Sequence, residues 1–219
     1  MKVLLEEEVL TDNNLSAKFN RDLFQTSKTL VINLMSSPGA GKTTLLEKTV
    51  AALGEEFRIG VIEGDLATEK DADRIRALGA KAVQINTNGG CHLDARMVAK
   101  VLPEFDFEEI DLLFIENVGN LVCPSGYDLG QHHKVAVLSV PEGNDKIPKY
   151  PVMFRRTEMV ILNKVDLLPY LDFDVQMAIE DLKGINPESK LLQVSARTED
   201  GLEEWFAWIR AAYKQIEAQ

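Results

Sequence analysis

The sequence predicts an α/β fold, a mostly parallel sheet with helices on both faces, and three observations predict it. Short apolar runs alternate along the chain with helix-like segments. Those runs are apolar throughout rather than alternating with polar residues, as strands covered on both faces must be. A glycine-rich turn, Gly39-Ala40-Gly41-Lys42-Thr43, joins the first run to the helix after it. A chain of 219 residues, 45% hydrophobic and 27% charged, is long enough to bury one core of this kind without staples.

The elements follow in order. Residues 12–27 carry Leu15, Phe19 and Leu23 at i, i+4 and i+8, with Phe24 beside them, and Asp12 or Asn13 suits the cap. Residues 1–28 are therefore taken as an N-terminal helical segment, leading into one domain over 29–219. Residues 29–35 form the first buried strand. Leu45, Leu46, Val50 and Leu53 mark a helix closed by Gly54. A strand over 57–62 ends in Glu63-Gly64-Asp65, and a helix over 67–78 leads to Gly79 and a short strand over 82–85. Residues 93–102 read as a helix stopped by Pro103. Strands are expected at 110–115, 135–140, 159–162 and 191–194, and helices at about 175–182 and 202–216. The chain shows no repeat, low-complexity tract or Pro/Ser linker.

The net charge of −11 argues against a non-specific role on nucleic acid or anionic lipid, so neither partner is expected. The N-terminus lacks the small-residue cleavage site of a signal peptide, and no run reaches membrane-helix length. Two cysteines cannot build a disulfide framework. A reducing, cytoplasmic setting is expected.

Residues 36–44, Ser36-Ser37-Pro38-Gly39-Ala40-Gly41-Lys42-Thr43-Thr44, match a phosphate loop except that Ser36 replaces the first glycine. Glycines let successive backbone N–H groups curl around an anion at the positive end of the following helix. Lys42 is expected on the β and γ phosphates and the Thr43 hydroxyl on Mg²⁺. Asn163-Lys164-Val165-Asp166 ends a later strand. A carboxylate such as Asp166 accepts from both guanine N1–H and the N2 amino group, whereas adenine would leave that charge unpaired. Ser195-Ala196-Arg197 ends the last strand, where a backbone N–H is expected at guanine O6. Asp65 and Glu116 end strands on the same sheet edge and are the candidates for the Mg²⁺ neighbourhood. Glu116-Asn117-Val118-Gly119 resembles the D-x-x-G switch of GTPases, so Gly119 is expected to offer its N–H to the γ phosphate. Asn120 stands where some GTPases orient water with Gln; it is shorter, so slow hydrolysis is expected.

Cys91-His92 precedes a helix, and Cys123-Pro124 follows a strand. Thiolate and imidazole suit Zn²⁺, Ni²⁺ or Cu. Three ligands leave a tetrahedron open, for water or for a second copy of the chain across a two-fold axis. A structural thiol, a single disulfide or redox chemistry remains open for these cysteines. His132-His133 is a second possible ligand pair.

In combination, Ser36 to Leu46, Glu63 to Arg74, Cys91-His92-Leu93-Asp94-Ala95, Glu116 to Pro124 and Asn163 to Asp166 resemble the hydrogenase-maturation GTPases that deliver nickel, the HypB family. The resemblance runs from about Asn20 to the C-terminus. It implies a GTPase fold and a dimer formed with GTP. Metal would lie at the dimer interface through Cys91, His92 and Cys123, and Mg²⁺ near Thr43, Asp65 and Glu116. It further implies a small zinc-containing accessory protein of the HypA type and a hydrogenase large-subunit precursor as partners. Urease-type relatives carry Cys-Pro-His, whereas Ser125 follows Cys123-Pro124 here, and the Cys91-His92 pair is additional. Residues 1–20 hold neither Cys nor His, so the family's N-terminal nickel motif is expected to be absent. A urease-type nickel accessory GTPase, a zinc-stabilised dimeric guanine-nucleotide-binding module and a small-molecule kinase are the other readings.

Overall fold

The computed structural model describes the backbone of residues 2–65 and 70–218, and the side chains of 11–64 and 72–218. Among the described residues seven parallel strands form one sheet: β1 (Leu30–Ser36), β2 (Ile59–Asp65), β3 (Lys81–Asn86), β4 (Leu112–Glu116), β5 (His133–Ser139), β6 (Met159–Asn163) and β7 (Lys190–Gln193). Their spatial order is β3-β2-β4-β1-β5-β6-β7, all in parallel register. The helices are α1 (Lys2–Thr26), α2 (Lys42–Leu53), α3 (Lys70–Arg76), α4 (Ala95–Val101), α5 (Lys146–Lys149), α6 (Pro151–Arg155), α7 (Val175–Ile185) and α8 (Leu202–Glu217).

β1 explains why apolar runs do not alternate here. Leu30, Ile32 and Leu34 enter the core shared with Leu45, Leu46, Trp205 and Ile209 of α2 and α8. Val31 turns to the opposite face with Phe24 of α1 and Val98 of α4. Met35 does the same with Phe154 and Leu182 of α6 and α7. Both faces are covered, so the strand is apolar on both, with Asn33 and the terminal Ser36 as its buried polar positions. Trp205 is fully buried and its indole N–H donates to Thr49 Oγ1 at 2.9 Å, which satisfies its one polar atom.

Three differences from the expected elements have local causes. The first helix begins at Lys2, so neither Asp12 nor Asn13 caps it. Its expected apolar stripe is also turned outward: Leu15 and Phe19 are 66% and 63% exposed, and the buried face is Asn13, Ala17, Asn20 and Phe24. Helices α5 and α6 interrupt the stretch between β5 and β6, where Pro148 and Pro151 break the helical pattern into two short turns. Pro103 lies within a 3₁₀ turn, Leu102–Glu104, that extends α4 instead of stopping it outright.

His132 continues the pairing of β5 with β1 through its side chain. Its backbone N–H donates to Val31 O at 2.9 Å, and the Val31 N–H donates to His132 Nδ1 at 3.0 Å. His133 stands edge-on to Trp208, 3.8 Å from Glu158. The pair is thus built into the amino end of β5, beside β1, and among the described residues it joins no group of three or more candidate metal ligands. Burial pushes the His132 pKa down to about 4, with His133 and Arg21 acting in the same direction. Between about pH 4 and the ordinary histidine value of about 6.5, the unfolded chain binds a proton that the folded chain refuses. Stability therefore falls as pH drops through that window. His92, lowered by burial, adds the same sign. Urea midpoints measured across this window should decline with acid, and His132→Gln, which keeps an acceptor for Val31, should flatten the decline. An unchanged slope would show that His132 is not its source.

Candidate nucleotide and metal sites

The carboxyl ends of β1, β2, β4 and β6 meet on one edge and carry Ser36, Asp65, Glu116 and Asn163. Ligands of open α/β sheets bind at such an edge. Gly39 and Gly41 adopt positive φ, 76° and 98°, and Gly41 turns the chain directly into α2. A side chain at Gly41 would collide with Asn163 Nδ2 at 2.4 Å, so glycine is required there for packing as well as for conformation. Inside the loop the Lys42 ammonium donates to Ser36 Oγ at 2.7 Å and lies 4.0 Å from Glu116 Oε1. The Thr43 hydroxyl donates to the same Glu116 oxygen at 2.9 Å. Ser36, the departure from the glycine pattern, thus serves as an acceptor for the lysine. Ser37 donates to Glu142, whose other oxygen accepts from the Ser139 N–H and hydroxyl. Neither Ser37 nor Glu142 stood out in sequence as a support of the loop.

Glu116 is buried, and the β2–β4 register sets Glu63, also buried, opposite it. Asp65 ends β2 opposite Asn86, and its side chain lies outside the described residues. Gly119 presses against the phosphate loop: a Cβ there would lie 3.0 Å from the Cα and N of Pro38.

Asn163 binds the loop to the strand ends around it. Its Nδ2 donates to Ala40 O at 2.9 Å, and its Oδ1 accepts from Lys164 N at 2.8 Å and Ala196 N at 3.0 Å. Lys164, at φ 62°, reaches across to Gly39 O at 2.6 Å. Beside them a cleft of ≈ 210 Å³ is lined by Gly41, Thr44, Lys164, Asp166, Ala196 and Arg197. The Ser195 hydroxyl donates to Asp166 Oδ1 at 2.6 Å and fixes that carboxylate at the cleft. A larger open hollow of ≈ 660 Å³ lies at the amino ends of β2 and β3 and holds none of these groups.

The two soft-ligand segments converge. The ligating atoms of Cys91, His92 and Cys123 all lie within 4.8 Å of one another, and both cysteines are free thiols. Cys91 Sγ is 3.5 Å from His92 Nδ1, and the His92 ring stacks on Tyr127 with centroids 4.0 Å apart. Cys91 is exposed, whereas His92 and Cys123 are half-buried. A hydrogen bond with Cys91, then burial, raises the Cys123 thiol above its ordinary value, and burial lowers His92.

Two asparagines unremarked as linkers connect these places. Asn117, fully enclosed, accepts at Oδ1 from Leu93 N and Val118 N, each at 3.0 Å. It therefore ties the segment after Glu116 to the residue after His92. Asn120, placed by sequence where water would be oriented, instead turns its Oδ1 onto Val122 N at 2.8 Å and Cys123 N at 3.4 Å. It shapes the turn that presents Cys123.

Residues 30–193 match the CobW/HypB/UreG nucleotide-binding domain. The hydrogenase maturation factor HypB of Azotobacter chroococcum is 53% identical over 207 residues, covering 94% of this chain and 68% of that one. The crystal structure of HypB from Archaeoglobus fulgidus superposes with a TM-score of 0.88 at 40% identity, covering 93% of this chain and all of that chain. HypB from Helicobacter pylori, solved in complex with nickel, gives 0.88 at 39% identity, covering 93% and 96%. Among the described residues no helix is long and apolar enough to cross a membrane.

Proposed function

The chain belongs to the HypB hydrogenase maturation factors of the CobW/HypB/UreG family, and from that premise we propose that it is a GTP-hydrolysing nickel chaperone. Guanine is read by Asp166 in the cleft beside Lys164, Ser195 and Ala196. The triphosphate lies along Pro38 to Thr44, with Lys42 at the β and γ phosphates and the Gly119 N–H toward the γ phosphate. Thr43, Asp65 and Glu116 would hold Mg²⁺. The two of these whose side chains are described bring a hydroxyl and a carboxylate together at 2.9 Å, hard oxygen donors of the kind Mg²⁺ takes. Bound there, Mg²⁺ neutralises phosphate charge. Asn120 has its Oδ1 engaged in the Cys123 turn and so is poorly placed to orient water, which suits slow turnover.

Nickel is the cargo. Cys91, His92 and Cys123 supply three ligands, and Zn²⁺ suits the same set. A second copy of the chain, meeting the exposed Cys91 across a two-fold axis, completes the shell in a homodimer. A HypA-type accessory protein and a hydrogenase large-subunit precursor are the partners before and after transfer.

One observation carries the switch. The segment from Glu116 to Cys123 touches Thr43 at its start, Pro38 through Gly119 in its middle, and the metal triad at its end. A nucleotide that moves Gly119 must act on Cys123 four residues later. Coupling of this kind is reciprocal and amounts to about 5–150-fold in affinity. Ni²⁺ and Zn²⁺ affinities measured with GDP and with a non-hydrolysable GTP analogue should therefore differ by a factor in that range. Equal affinities in the two states would remove the switch. Zinc retained in both states would leave a dimer with a structural metal.

A further inference from the structure

We propose that α1 is a positioning element of the metal site and that Asn13 and Asn20 set the spacing between the two loops that carry its ligands. The proposal rests on the reading of Cys91, His92 and Cys123 as a site for a soft divalent cation.

The triad is drawn from segments some thirty residues apart in sequence, and the loops bearing them must be held in register. Both asparagines bridge the same two segments. Asn13 accepts from Ala95 N at 2.9 Å through Oδ1 and donates to Asp128 O at 2.9 Å through Nδ2. Asn20 donates from Nδ2 to Ala95 O and to Leu129 O, each at 3.0 Å. Ala95 follows His92 by three residues and opens α4, whose first N–H groups have no partner within the helix. Asp94 caps Met97 N, and Asn13 takes the Ala95 N–H. On the other side, Asp128 follows Tyr127, the ring stacked on His92, and that stretch leads directly from the Cys123–Gly126 turn.

Two more contacts hold the second segment against α1. Arg21 pairs with Asp128 at 2.6 Å. Gly130, at φ +89°, lets the backbone approach so closely that a Cβ would lie 2.7 Å from Ala17 O and from Asn20 Cβ. Asn13 and Asn20 are 2% and 0% exposed, positions where an ordinary helix face would place leucine. A buried amide there is costly unless it is bonded, and although Asn20 Oδ1 has no partner, the bonds the two amides do make are those between the metal loops.

The test measures Ni²⁺ affinity by chelator competition and by the thiolate-to-nickel charge-transfer band, alongside GDP affinity and thermal midpoint. Wild type is compared with Asn13→Leu, Asn20→Leu and Arg21→Gln. Loss of the groups that orient metal ligands commonly costs about 10–100-fold in metal affinity. The asparagine variants should weaken Ni²⁺ binding by a factor in that range with GDP affinity unchanged. Arg21→Gln should act in the same direction but less, and being half-exposed it leaves the core intact if the leucine variants do not fold. A lowered midpoint with unchanged Ni²⁺ affinity and band would overturn the proposal and leave α1 a purely structural helix. If Arg21→Gln alone folds and its Ni²⁺ affinity is unchanged, the proposal likewise falls. Failure of the underlying reading looks different: wild type itself would take up no Ni²⁺.

Discussion

Asp166→Asn is expected to exchange guanine preference for xanthine preference. In the cleft one oxygen of Asp166 is held by the Ser195 hydroxyl at 2.6 Å, so the carboxylate is fixed in place and its remaining lone pairs face the space a base would fill. Guanine presents two donors on one edge, N1–H and N2–H, and a carboxylate accepts both. An asparagine turns one of those acceptors into a donor, which faces the N2 amino group donor to donor. Xanthine carries a carbonyl at that carbon and restores the pairing. A site built for polar partners rejects a mismatched one by about 10⁴–10⁵-fold at its best, because the buried groups are left unpaired. The half-exposed cleft makes the lower part of that scale the reasonable expectation, about a 100-fold loss of GDP affinity with a matching gain for XDP. Fluorescent GDP and XDP titrations of the wild type and Asp166→Asn give the ratio directly. An unaltered ratio would show that Asp166 does not read the base, and the assignment of the Asn163–Asp166 tetrad would fall with it.

The sequence carried the chemistry of the site further than its mechanics. Strand ends, the phosphate loop and the Cys91, His92 and Cys123 set are legible because their residue types have few other uses in those positions. The supports were not legible, for a physical reason. Periodicity arguments follow apolar residues, and on α1 they followed Leu15 and Phe19 to the exposed face. The buried face is marked by Asn13 and Asn20, whose partners are backbone groups about 75 to 115 residues away. Asn117 and Asn120 escape for the same reason: a side-chain amide that bonds a main-chain N–H has no complementary residue to betray it. Glu142 is likewise a loop-end acid until the Ser37 contact is seen. Side-chain amides that join distant loops become visible only once the sheet has set those loops side by side.

Cys123→Ala tests the separation of the two halves of the site. Cys123 provides one of three candidate ligands, and no other His, Cys, Asp or Glu joins this cluster among the described residues. Removing a group that merely orients a ligand costs about 10–100-fold in metal affinity, so removing the ligand itself should cost more than about 100-fold. Nothing in the nucleotide cleft depends on the thiol. Glu116, Thr43 and Lys42 contact one another without it, and Gly119 meets Pro38 through backbone. The Asn120 turn is made to the Cys123 N–H, which alanine keeps. GTP and GDP affinities should therefore survive, while their difference loses its effect on metal uptake because the lever no longer ends in a ligand. Titrating Ni²⁺ into Cys123→Ala with each nucleotide bound distinguishes the cases. Joint loss of metal and nucleotide binding would mean that the Glu116–Cys123 segment is one cooperative unit, in which the thiol supports the phosphate loop as well as the metal.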